Sequence, residues 1–258
     1  MNRLTKLTAM LGLTVSLSAP ALAANFVGNY TAHQAVSNHL IGQDYRLSLP
    51  GVGLYNQVGL AMYDLAEDDD DFHQVDDKAE AFADVYVTFA VITKYYIDNP
   101  EQARNLNFDP TQVTLKDYLQ DVIRACNAGN FAVTPEQVSK DLGSPLTGKE
   151  NRQVYTYQRD FRNLCTLAKQ YLNLYNLPEF QSYLKLYQEY SEYVYQAYKT
   201  QGANYGFPLS YKSITDGTIE DIARQRFQYD NPRGYRILKN FDEYVYENRA
   251  FYNALNAR

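Results

Sequence analysis

From about residue 50 onward, apolar side chains recur at intervals of three and four residues, and this period limits the chain to packed helices. The clearest stretch runs from about Lys149 to Asn176. Val154, Tyr157, Phe161, Leu164, Cys165, Ala168, Tyr171, Leu172 and Tyr175 fall within one narrow arc, with Arg159, Arg162, Lys169 and Gln170 outside it. Leu54, Val58, Ala61, Met62 and Leu65 form an earlier stripe, followed by the acidic run Glu67 to Asp71. Asp76-Asp77 are expected to cap a long helix that Asn99-Pro100 ends. Phe82, Val85, Tyr86, Phe89, Thr93 and Tyr96 share one of its faces, and Val87 and Val91 lie opposite. A helix apolar on two sides belongs at the centre of a core.

The remaining boundaries follow from local chemistry. Thr114 and Asp117 make a capping box ahead of the stripe Leu115, Tyr118, Leu119, Val122, Ile123 and Cys126, which ends near Gly129. Thr134-Pro135 starts a short helix that ends near Gly143. Pro178 opens another, to about Thr200, with a wide aromatic arc. Residues 201–216 read as a loop, 218–228 as a helix, 230–234 as a turn and 238–256 as a final helix. The expected architecture is a single all-α domain over residues 24–258, a bundle of about seven to eight helices.

Residues 1–23 read as a cleavable export signal. Arg3 and Lys6 precede an apolar stretch, and Ala21-Leu22-Ala23 has the small-x-small pattern of a cleavage site. This predicts a periplasmic or secreted protein beginning at Ala24. In an oxidising compartment the cysteines, Cys126 and Cys165, are expected to form one disulfide. Both fall on apolar faces, so the bridge would be interhelical. No other apolar run is long enough to span a bilayer: Val85 to Ile97 is too short and contains Lys94.

The whole chain has 24 basic and 30 acidic residues, and loss of Arg3 and Lys6 with the signal takes the net charge from −6 to −8. That sign disfavours nucleic acid and anionic lipid and suits a basic protein partner. Motifs for common catalysis are missing. There is no Gly-x-Ser-x-Gly elbow and no Gly-rich phosphate loop, and His33 and His39 are spaced too widely to meet on one helix turn. The acidic segment reads as a solvated loop leading into a helix. Calcium binding through Asp68, Asp70 and Asp71 is the alternative, although the glycine and spacing of the usual calcium loop are missing.

Tyrosine is over-used: 25 Tyr and 12 Phe, with no Trp. Tyrosine gives contact area at low entropic cost, and a bundle core with hydroxyls at its margins uses it equally well. Tyr193 and Tyr195, on opposite edges of the wide arc, and Tyr205 and Tyr211, in the expected loop, are the tyrosines expected to meet a partner. The leading reading is a non-catalytic exported protein that binds a protein partner through an acidic, tyrosine-bearing surface, as an inhibitor, immunity protein or envelope-assembly component does. It needs no cofactor. The alternatives are a hydrolase that acts on glycans with paired carboxylates, and a carrier of calcium or a small ligand.

Overall fold

A computed structural model describes residues 54–257, apart from 105, 107 and 130–133. The export signal, Ala24, His33 and His39 lie outside the described residues. Those that are described form an all-α structure of twelve α-helices with no strand. The helices are α1 (Asn56–Glu67), α2 (Asp69–Phe72), α3 (Val75–Asp98), α4 (Leu115–Asn127), α5 (Pro135–Leu142) and α6 (Gly148–Tyr175). They continue as α7 (Gln181–Ala197), α8 (Tyr211–Ile214), α9 (Gly217–Asp230), α10 (Pro232–Lys239), α11 (Phe241–Glu247) and α12 (Arg249–Leu255). The excess over seven or eight comes from the one-turn helices α2 and α8 and from the division of the C-terminal segment. No described helix is long and apolar enough to cross a membrane.

Helix α3 is the axis of the core. It packs on α1 and α4, on α7, and on α11 and α12. Both apolar sides are covered, and Phe82, Val85, Val91 and Ile92 are fully buried. The stripe of α6 faces α1, α4 and α12. The rings of Phe180, Tyr183, Phe241 and Phe251 meet where α7, α11 and α12 converge, at centroid distances of 5.0–5.9 Å. Edge-to-face and tilted contacts of this kind add to the area the rings bury. The single disulfide, Cys126–Cys165, joins α4 to α6 with Cα atoms 6.0 Å apart.

Local caps explain most boundaries. Thr114 and Asp117 form the expected box, and Thr147 and Glu150 form a second at the start of α6. Gly143 ends α5 at φ 65°, in the left-handed region.

Several boundaries differ from the sequence reading. Gln74, not Asp76 or Asp77, is the N-cap of α3, and the two aspartates sit in its first turn. The 178–200 segment begins as a 3₁₀ turn (Pro178–Phe180) and ends in a π-turn (Tyr198–Gly202), so helical structure runs into the expected loop. The expected turn at 230–234 holds the end of α9 and the start of α10. The Asn231 side chain accepts from Gly234 N at 2.8 Å, and Pro232 begins the helix. A Cβ on Gly234 would lie 2.5 Å from Asn231 Nδ2, so glycine belongs there. The expected last helix is two. Asn248 adopts extended backbone and its Oδ1 accepts from Ala250 N and Phe251 N, capping α12 instead of continuing α11. Gln170, expected outside the apolar arc, is buried because the C-terminal segment covers it, and its Nε2 donates to Ala257 O at 2.8 Å.

Candidate functional site

Three turns of α3 carry Asp77, Glu80 and Asp84, at spacings of three and four residues that align them on one face. The same line continues through Val87 and Val91, the second apolar side of that helix. Across from it, the end of α1 and the following turn carry Asp64, Glu67 and Asp68, with Asp71 in α2. Tyr211 at the start of α8 closes the side. Its backbone N–H donates to Gln57 Oε1 at 3.0 Å and its hydroxyl to Asp64 Oδ2 at 3.3 Å. These elements enclose a groove of about 480 Å³ lined by seven carboxylates, with no basic side chain among its lining residues.

Behind the groove, one cation ties the end of α1 to α6. Arg159 of α6 donates to Glu67 O at 3.2 Å, to Asp160 Oδ1 at 2.8 Å, and pairs with Asp69 at 3.6 Å. Asn163 Nδ2 donates to Ala66 O at 3.1 Å. The last carbonyls of α1 are therefore capped from α6. Burial and the like charges of Asp64 and Asp160 push the Glu67 carboxyl up. Burial, with Asp76 and Asp71 nearby, does the same to Asp77.

Asp84 stands where the groove meets a second, more apolar cavity of about 290 Å³; Glu80 and Asp84 line both. The walls of this cavity come from α3, α7, α9, α10 and α11, with Thr215 and Ile214 from the α8 end. Val87, Val194, Phe227 and Leu238 supply apolar surface, and Tyr187, Tyr190 and Tyr235 supply rings with hydroxyls. Glu220, Arg224, Lys239 and Asp242 are its remaining charged residues. Arg224 is engaged by Glu220 at 3.7 Å and by Asp221. The Asp84 carboxylate is partly buried and has neither a hydrogen bond nor an ion pair among the described residues. Burial, reinforced by Glu220, Glu80 and Asp64, raises its pKa to about 7. The same surroundings push the hydroxyls of Tyr187, Tyr190 and Tyr211 up, chiefly by burial.

Of the tyrosines singled out from the sequence, only Tyr211 borders the groove. Tyr193 is half-buried against Phe227, with its hydroxyl donating to Asp230 Oδ2 at 3.3 Å. The expected exposure of Tyr195 is corrected: it is 2% exposed. The edge of its wide arc is covered, and Lys199 Nζ lies 5.1 Å over its ring. Tyr205 is 61% exposed and lies beside Phe207, away from the groove's lining residues.

Asp68, Asp70 and Asp71 do not converge. Asp68 Oδ1 accepts from Asp70 N and Asp71 N, so its carboxylate caps α2. Among the described residues no three His, Cys, Asp or Glu side chains are grouped to hold a metal ion.

Asp64, Glu80, Asp84 and Glu220 escaped the sequence reading. The spacing of Asp77, Glu80 and Asp84 along an otherwise apolar helix was the available signal. Nothing local joins them to Asp64 or Glu220. No family model, curated protein or solved structure matches the chain.

Proposed function

We propose that this is an exported, non-catalytic protein whose groove between α1, α3 and α8 takes a basic segment of a protein partner. The observation that carries the reading is the lining itself: seven carboxylates from three helices and one turn facing one concavity, without a basic side chain among them. Such a concavity focuses negative potential, raises the encounter rate with cationic partners and repels polyanions. The Tyr211 ring at its side offers a face for a cation. Inhibition of a basic toxin and holding a basic component of an envelope assembly both call for this surface.

The test is the affinity of the whole protein for a short basic peptide at two ionic strengths. Raising the salt from about 0.01 M to about 0.15 M shortens the Debye length from about 30 Å to about 8 Å. Binding should weaken at least about tenfold over that range. Binding that salt leaves untouched, or none at low salt, rejects the reading.

A second reading, a glycan hydrolase, draws support from Asp84. A carboxyl raised to about 7 in a cavity that a second carboxyl, Glu220, also lines could act as the general acid of such a reaction. Cleavage of cell-wall glycan by the wild type, lost in both Asp84→Asn and Glu220→Gln, would establish it over the binding reading.

A further inference from the structure

The basic segment needs an anchor, and the apolar cavity next to the groove is built for one kind of side chain. We propose that this cavity takes the side chain of a lysine from the partner, with its aliphatic stem between the apolar walls and its ammonium at Asp84. The inference rests on the groove's binding a basic segment and adds which residue is selected there.

Three features carry it. First, the cavity adjoins the acidic groove: Glu80 and Asp84 line both spaces, so Asp84 borders a chain lying in the groove. Secondly, the wall is chemically divided. Val87, Val194, Ile214, Phe227, Leu238 and Phe241 supply apolar wall, and the acids are Glu80 and Asp84 of α3, Glu220 of α9 and Asp242 of α11. A lysine is divided in the same way, a methylene stem with a compact charge at its end. At about 290 Å³ the cavity is at the small end of ligand sites, suited to one side chain rather than to a folded element. Thirdly, neither cation of the cavity, Arg224 or Lys239, forms an ion pair with Asp84 among the described residues. Arg224 is held by Glu220 and Asp221, and Asp84 has no hydrogen bond or ion pair among the described residues. Arginine is the poorer fit. Its broad planar guanidinium is bulkier than an ammonium for a cavity of this size, and Glu220, one of the acids near Asp84, is already paired with Arg224.

The experiment compares two short peptides, identical except that one carries lysine where the other carries arginine. Affinities are measured by calorimetry on the full chain as wild type, Asp84→Asn and Glu101→Gln, the last being an exposed site outside both cavities. Circular dichroism checks that each variant is folded. Asp84→Asn should weaken the lysine peptide about tenfold or more and the arginine peptide less than about threefold. Glu101→Gln should leave both unchanged. The probe n-butylamine should displace the lysine peptide from the wild type, and n-butanol, of the same shape without the charge, should not. Equal losses for the two peptides in Asp84→Asn, or failure of n-butylamine to compete, overturn the lysine pocket and leave the groove standing. Absence of salt-sensitive binding for both peptides overturns the groove, and the pocket with it.

Discussion

Lys78 Nζ donates to the carbonyl oxygen of Leu255 at 3.3 Å, tying the first turns of α3 to the last residue of α12 across 177 positions of sequence. Lys78 is 4% exposed, and its ammonium lies 4.6 Å over the Phe72 ring, so a cation–π contact joins the carbonyl in holding it. It caps the C-terminal end of α12, where a positive charge suits the helix dipole. Burial nevertheless lowers its pKa, so the charge is held at some expense. Lys78→Met keeps the stem and removes both cap and buried charge, two changes that offset. It should alter stability by less than about 1 kcal/mol. Lys78→Ala also empties the space of the stem and should destabilise by about 2 kcal/mol. Urea unfolding of the two variants measures the difference.

The pH dependence of stability should carry the mark of Asp84. Its folded pKa of about 7 lies above the ordinary 3.8, so the folded chain binds more protons than the unfolded chain between those values. The contribution is complete below about pH 4 and is lost as pH rises through about 7. The charged groups around it act in one direction: Asp64 of α1, Glu80 of α3 and Glu220 of α9 all raise it. Arg224 on α9 is paired elsewhere; Lys239 of α10 and Asp242 of α11 complete the cavity's charges, and Tyr171, Tyr187, Tyr190 and Tyr211 are the ionisable hydroxyls beside it. Asp84→Asn should therefore match the wild type near pH 4 and exceed it by about 1–2 kcal/mol at pH 8. Denaturant midpoints across that range test the sign.

The groove should exchange stability for binding. Like charges at three- and four-residue spacing on a helix repel by a few tenths of a kcal/mol per pair. Asp77→Asn and Glu80→Gln should each raise the melting temperature slightly while weakening a basic peptide and flattening its salt dependence. A calorimetric scan and a salt titration on the same samples would show both. Loss of peptide affinity without a gain in melting temperature would mean that repulsion among the groove's carboxylates does not tax the fold.

Opening the disulfide should be costly. The bridge closes a 39-residue separation between α4 and α6, for which chain entropy gives about 4 kcal/mol. The Cys126→Ser, Cys165→Ser double variant should lose about 3–4 kcal/mol in urea unfolding while retaining its helical circular dichroism. A reducing agent should move the wild type towards the variant and leave the variant itself unmoved.

The fold was legible wherever its cause is local. A period of 3.6 residues is set within a single helix, so the stripes of α1, α3, α4 and α6 could be read one at a time. Caps such as Thr114 with Asp117, or Thr134 with Pro135, act within a single turn. Cys126 and Cys165 had each other as partners, and their apolar positions foretold a packed junction. The reading failed where two local rules compete and packing decides. Asn248 fits an apolar-stripe helix by position and a cap by chemistry, and the burial of Phe241, Val245, Phe251 and Leu255 settles the break. Tyr195 was buried by neighbours that its own helix could not announce. The site was the least legible feature, because Asp64, Asp84, Tyr211 and Glu220 lie on four helices and meet only when those helices pack. Sequence determined which residues could turn into helices and which faces had to be hidden. Tertiary structure decided which charges were left facing one another, since a carboxylate's surroundings depend on what lies across the groove rather than on what lies beside it in the chain.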